Sequence, residues 1–191
     1  MSDFLSTFDQ NFSAKLEHRS KFFKKIFKKL EEKKSDFYTI VETGCIRIQN
    51  NWGGDGYSTV LFDKFLEYHE GMVYSVDINS EHCQLADYLT SDKVKVVNED
   101  SVSFLWNIKL EKKIDLLYLD SYDLDGDNVH ESAFHHFKEF CAAMSHLGEG
   151  SIIVVDDCGI KNGGKGKYIK EFMDNIGNEP IINGYQMGWM F

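Results

Sequence analysis

Residues 38–77, YTIVETGCIRIQNNWGGDGYSTVLFDKFLEYHEGMVYSVD, decide the fold. A β-rich apolar run ends in Glu42-Thr43-Gly44, a loop follows, and Gly53-Gly54-Asp55-Gly56-Tyr57-Ser58-Thr59 opens a helix. A second apolar run then ends in Asp77. Strand, glycine-bearing turn, helix, strand and terminal acid are the parts of a nucleoside-binding βαβ half. Glycine lets the backbone come close to a ligand, and a helix start offers N–H groups with no partner inside the helix. Asp77, at the carboxyl end of a strand, is placed to accept both hydroxyls of a ribose. These parts predict an adenosine-like ligand.

The alternation continues outward from this unit. Strands are predicted at 38–43, 72–77, 94–97, 114–119 and 151–155, and helices at 56–69, 80–90, 101–109, 128–147 and 164–176. Continuous apolar runs such as Ser151-Ile152-Ile153-Val154-Val155 suit strands covered on both faces, as in a parallel sheet. In the tail, Pro180 to Phe191, two short strands around Asn183-Gly184 form a hairpin signal. The expected architecture is therefore α/β: a Rossmann-like, mostly parallel seven-stranded sheet with a C-terminal antiparallel hairpin. Ahead of it, Phe4, Phe8, Phe12, Leu16, Phe23, Ile26, Phe27 and Leu30 recur at helical spacing. Residues 1–36 thus read as an N-terminal extension of amphipathic helices and residues 37–191 as the α/β domain.

Composition narrows the partners. Residues 1–34 carry nine Lys/Arg against five acids, and the remainder carries twelve against twenty-six. An acidic body repels a phosphate backbone, so nucleic acid is not the expected partner. Lys21, Lys24, Lys25, Lys28 and Lys29 fall largely on the polar face of the N-terminal helices and read as a solvated face. The four cysteines show no metal-type or redox-pair spacing, which suits reduced, mostly buried thiols. The first residues show no signal-peptide pattern, and no apolar run approaches the ~20 residues of a membrane span. A cytoplasmic protein without membrane contact is expected, and its apolar N-terminal helix face is a candidate for pairing subunits into a homo-oligomer.

Three motifs carry a resemblance over roughly residues 37–191. Val41-Glu42-Thr43-Gly44 with Gly56-Tyr57-Ser58-Thr59 resembles the first motif, and Val76-Asp77-Ile78 the acidic second motif, of class I S-adenosylmethionine-dependent methyltransferases. Within that family the chain looks like the small O-methyltransferases that act on sugars and natural products. Asn98-Glu99-Asp100-Ser101 resembles the segment bordering the adenine. The resemblance implies S-adenosylmethionine as cofactor, with Glu42 and Gly44 at the methionine end, Asp77 at the ribose and Asp100 at the adenine amino group. Gly56, Tyr57, Ser58, Ile78, Ser101 and Asp120 complete the implied cofactor-binding set. The chain departs from the family where Cys45–Trp52 interrupts the usual tight glycine turn. Arg47, Asn50 and Asn51 in that insertion either reach the ligand carboxylate or solvate the enlarged loop.

Two further strand ends are acidic: Asp120 after Leu116–Leu119, and Asp156-Asp157 after Ile152–Val155. Carboxylates converging from adjacent strands repel unless a cation bridges them, and all-oxygen donors suit Mg²⁺. In the resembling enzymes such acids hold a divalent ion that lowers the pKa of the acceptor hydroxyl. Asp120, Asp156 and Asp157 are accordingly the expected metal ligands, and a small hydroxylated molecule the expected acceptor. His130, in the His130-Glu131-Ser132 element, has the intrinsic pKa of a general base. Asp120 and Asp123 complete the expected catalytic set. The Gly-rich segment Gly159–Lys167 reads as a lid, a basic patch for an anionic group, or a connector.

Asp120-Ser121-Tyr122-Asp123-Leu124-Asp125-Gly126 also resembles the acidic motif of spermidine synthases, which makes an aminopropyltransferase the alternative. Leu124 replaces that motif's proline, and Asp156-Asp157 then has no role. A non-catalytic nucleoside-binding protein of the same fold is the remaining alternative.

Overall fold

The computed structural model describes residues 4–54, 57–126 and 128–191. Helices α1 (Phe4–Asn11) and α2 (Ser20–Lys33) precede β1 (Tyr38–Thr43) and α3 (Ser58–Leu66). Then come β2 (Gly71–Asp77), α4 (Ser80–Leu89), β3 (Val94–Asn98) and α5 (Ser101–Asn107). The chain closes with β4 (Leu116–Leu119), α6 (His130–Ala143), β5 (Ile152–Val155), α7 (Lys167–Asn175) and β6 (Met187–Met190). The sheet order is β3-β2-β1-β4-β5-β6, parallel except for β6, which runs antiparallel to β5. The order reverses between β1 and β4, and a crevice outside the carboxyl ends of those strands is where such sheets bind ligands.

The strands are apolar on both faces because helices cover both. Leu116 and Tyr118 of β4 point into one core, and Leu117 and Leu119 point into the other. The period-two alternation of a strand separates them. The first core is shared with α1, α2 and α3, and the second with α5, α6 and α7. Phe4, Phe8, Phe23 and Phe27 are fully buried there, and Phe27 packs edge-on to Phe4 at 4.7 Å between ring centroids. Each such phenylalanine contributes about 1.5–3 kcal/mol of transfer free energy. The apolar face of the N-terminal helices therefore lies against the sheet of its own chain, so it is not a free surface for pairing subunits. The opposite, lysine-bearing face of α2 is open to solvent, as the spacing predicts.

Among the described residues the sheet has six strands, where the sequence predicts seven. The first arm of the predicted tail hairpin makes only an isolated bridge, Ile182 to Gly188. Pro180 has no N–H to donate to a ladder. Segment 183–186 turns to the edge of the sheet instead, where the Tyr185 carbonyl accepts from Cys158 N at 2.7 Å. No helix among the described residues is long and apolar enough to cross a membrane.

Candidate active site

The carboxyl ends of β1, β2 and β4 border a cavity of about 250 Å³. Gly44, Cys45, Ser58, Asp77, Asp120 and Asp157 are among the residues that line it. Gly44 has φ +77°, and a Cβ there would stand 2.5 Å from the Asp120 carbonyl oxygen. Glycine is required because two strand ends meet back to back at this point. Ser58 opens α3 at the cavity wall, so the positive end of that helix faces inward.

Asp77 ends β2 in a bed of donors. One carboxylate oxygen accepts from Asn79 N at 2.7 Å, and the other from Cys45 N at 3.1 Å with His82 Nδ1 3.3 Å away. A carboxylate has about four acceptor sites, so capacity remains on the cavity side. Asp77, Ile78 and Ser121 also line an adjoining hollow of about 340 Å³ bordered by Val76, Asp100 and Ser101. Ile78 is 76% exposed there, an apolar side chain presented to an open slot. Asp100 accepts from Ser103 N at 2.8 Å and so caps α5 while its segment borders the hollow.

Two predicted contacts, Glu42 and Tyr57, stand elsewhere. Glu42 is fully buried beneath the cavity: Ser75 Oγ donates to one of its oxygens at 2.6 Å, and the other has no hydrogen-bond partner among the described residues. Burial pushes its carboxyl up to about 7, against the opposing hydroxyls of Ser58, Ser75 and Thr59. Tyr57 lies under the inserted loop, stacked on Trp52 at 4.1 Å, with its hydroxyl on Asn50 N. Gly56 lies outside the described residues. In the insertion, Arg47 reaches the cavity and pairs with Asp123 at 2.6 Å, an exposed pair. Asn50 and Asn51 shape the loop, Asn51 accepting from Gly54 N at 3.3 Å.

The β4–β5 half is dominated by charge pairing that the strand-end acids alone do not reveal. Lys165 Nζ lies 2.5 Å from Asp120 Oδ1 and 3.0 Å from Asp157 Oδ2, with its side chain 1% exposed. Burial works against its charge, but Asp120 and Asp157 outweigh this and hold the ammonium above the usual lysine range. Burial likewise pushes the Asp120 carboxyl up to about 8, with Lys165 opposing and Asp156 and Asp157 reinforcing. Asp157 moves the other way: Lys165 and the Tyr185 hydroxyl overcome burial and lower it. Asp156 turns away from both, to the guanidinium of Arg19 and the Tyr118 hydroxyl, the latter at 2.6 Å. Arg19 also donates to the Gly54 carbonyl at 2.9 Å, so a residue ahead of α2 closes one wall of the cavity.

The expected metal ligands Asp120, Asp156 and Asp157 therefore do not form a cation cradle. Asp156 is fully buried on the Arg19 side, and Asp120 and Asp157 face an ammonium. Among the described residues no group of three or more His, Cys, Asp or Glu side chains is arranged to hold a metal. His130 does not join Asp120 either. At the start of α6, its Nδ1 is 2.6 Å from the Tyr168 hydroxyl, and it lines neither the cavity nor the hollow. Tyr168, on α7, draws that imidazole outward.

Lys165 and Arg19 are the functional-site residues that the motifs do not flag. The Gly159–Lys167 segment folds inward because Gly163 and Gly164 adopt positive φ, and a Cβ on Gly164 would meet the Asp157 carbonyl at 1.9 Å. That tight passage delivers Lys165, whose own N–H donates to the Asp157 carbonyl at 3.3 Å. A lysine framed by glycines just after an acid pair is the signal in retrospect.

No protein-family model matches the chain, and no curated protein matches it. Solved structures do. The MycE methyltransferase of the mycinamycin biosynthetic pathway, in complex with Mg and SAH, is similar over 100% of this chain at TM-score 0.69 and 14% identity. The chain spans 55% of the MycE chain. The O-methyltransferase NovP is similar over 90% of this chain and 79% of its own, at TM-score 0.61 and 15% identity. A ribosomal protein L11 methylase from Lactobacillus delbrueckii subsp. bulgaricus is similar over 89% of this chain and 77% of its own, at TM-score 0.52 and 13% identity. Proteins of different acceptor classes thus share this architecture. The chain has the fold of the S-adenosylmethionine-dependent methyltransferases, as its strand-end motifs imply.

Proposed function

We propose that the chain is an S-adenosylmethionine-dependent methyltransferase that acts on a hydroxyl of a small acceptor. The observation that carries this reading is the continuous cleft at the β1/β4 switch. The cavity and the hollow share Asp77, Ile78 and Ser121, so one nucleoside spans both with its ribose on Asp77. In this reading the Asp77 carboxylate accepts the ribose hydroxyls, the exposed Ile78 side chain covers one face of the adenine, and Ser101 and Asp100 border its edge. Arg47 and the start of α3 at Ser58 face the methionine carboxylate.

When bound, S-adenosylmethionine supplies an electrophilic methyl group and departs as the neutral thioether. One C–S bond breaks, one C–O bond forms, and the acceptor hydroxyl loses its proton. Asp120, on the cavity wall, receives that proton in its ionised form, which predominates above about pH 8. A positioned base contributes about 10²–10⁴-fold, and holding oxygen and methyl carbon in line contributes more, up to about 7–11 kcal/mol. Asp123, paired with Arg47, orients that side chain rather than acting on the acceptor.

A second hollow of about 600 Å³ supports an acceptor that carries an anionic group. His18, Lys21 and Lys25 line it, with no acid among the described residues that line it. Tyr185 separates it from the cavity, holding Asp157 on one side and lining this hollow on the other. In a chain of net charge −10, a cation-only hollow beside the reaction site favours phosphate or carboxylate. In a screen of small hydroxylated compounds read by thioether release, phosphorylated acceptors outperform their neutral counterparts. Lys21→Glu with Lys25→Glu erases that preference; an equal preference before and after would remove the anionic assignment.

Calorimetric titration tests the central reading. The wild-type chain binds S-adenosylmethionine. Asp77→Ala lowers affinity by about 100-fold or more, because two hydrogen bonds to a charged group are lost. Unchanged affinity in a folded variant would sink the ribose assignment. Preference for the decarboxylated analogue would favour aminopropyl transfer.

A further inference from the structure

The strand-end acids of β4 and β5 are paired with cations from within the chain. Three carboxylates, Asp120, Asp156 and Asp157, meet two cations, Lys165 and Arg19. Two monovalent cations carry the charge of one divalent ion, so the electrostatic demand of the acid cluster is met without one. The supply is also built in rather than incidental. Lys165 follows Gly164, where positive φ and the nearby Asp157 carbonyl leave no room for a Cβ, and its backbone is tied to Asp157. Arg19 is 2% exposed and fixed at its other end by the Gly54 carbonyl.

We propose that Lys165 occupies the role of a divalent cation in this chain: it locks Asp120 and Asp157 at the cavity wall and, while present, keeps divalent ions out. Lys165 is a positioning residue, since it lies beneath the two carboxylates and does not itself line the cavity. An ammonium offers three donors in a compact head, enough to engage both acids at once. A metal entering the same site would have to displace a buried charge, and a buried cation left without partners costs several kcal/mol. The role of Asp120 as base rests on the methyltransferase reading. The exclusion of metal does not.

The experiment uses the full chain, stripped of metal, with Mn²⁺ as a spectroscopic probe and Mg²⁺ in calorimetry. Wild-type protein binds neither ion at this site. Lys165→Met leaves Asp120 and Asp157 without their cation and gains one Mn²⁺ per chain, bound about tenfold or more tighter than by wild type. The double variant Lys165→Met, Asp157→Asn loses it again. A merely structural lysine would create no Mn²⁺ signal on removal. Wild-type protein that binds one Mn²⁺, and loses it in Asp157→Asn, overturns the proposal without reference to any lysine variant. If Lys165→Met does not fold, Lys165→Gln, which keeps a polar head and removes the charge, gains the ion in its place; a folded Lys165→Gln with no gain also overturns the proposal. S-adenosylmethionine titrated into the same samples reports separately: wild type that rejects both Mn²⁺ and the nucleoside supports the lysine assignment and removes the methyltransferase reading.

Discussion

The two halves of one sheet edge treat the same residue type in opposite ways. At the end of β2, Asp77 is held by backbone N–H groups, those of Cys45 and Asn79, and keeps acceptor capacity for a ligand. At the ends of β4 and β5, Asp120, Asp156 and Asp157 are paired with the buried cationic side chains of Lys165 and Arg19. The first arrangement uses backbone donors and leaves an opening. The second uses buried charge and closes one. A strand-end aspartate is therefore a docking point in one place and a structural anchor in the other, and the difference lies in what reaches it.

Removing a distant partner should hurt most. Arg19→Met leaves Asp156 buried beside Tyr118 with no cation, and unfolding by denaturant should show a loss of about 3–5 kcal/mol. Adding Asp156→Asn should recover much of it. A loss no larger than that of an exposed pair would mean that the β5 end is not anchored from the N-terminal region.

The half held by backbone donors should respond to pH instead. Folding raises the Glu42 carboxyl from its ordinary 4.5 to about 7 through burial. The native state then holds a proton that the unfolded chain has released, so stability falls as pH rises from about 4.5 to 7 and is level above. The drop attributable to this group is about 3 kcal/mol. Glu42→Gln should match wild type near pH 4.5 and exceed it near pH 8 in melting temperature. Parallel profiles for the two proteins would show that Glu42 carries no such cost, and the contrast between the halves would lose its pH signature.

The same contrast decides what the sequence discloses. The five parallel strands, Gly44, Ser58, Asp77 and Asp120 are legible because each depends on its own segment: an apolar run, a tight turn, an acid at its end. Glu42 is legible as a buried acid but not as a support beneath the cavity. The tail hairpin misleads because the Asn183-Gly184 signal is overridden by Tyr185, which binds Asp157 and Cys158. Arg19 does leave a trace. It falls between Leu16 and Phe23 at the three- and four-residue spacing of the apolar stripe, a charged residue on a core-facing line. Lys165 leaves less, since nothing in a glycine-rich segment states which way it turns. His130 carries the right chemistry in sequence, and only Tyr168 shows that it is used elsewhere.

The bond between Arg19 and Asp156 joins positions 137 residues apart. In order of synthesis the arginine precedes every strand of the sheet, and the aspartate follows all five parallel strands. The cavity wall is therefore incomplete until β5 has been made, and a chain interrupted before β5 leaves the early guanidinium without its counter-charge.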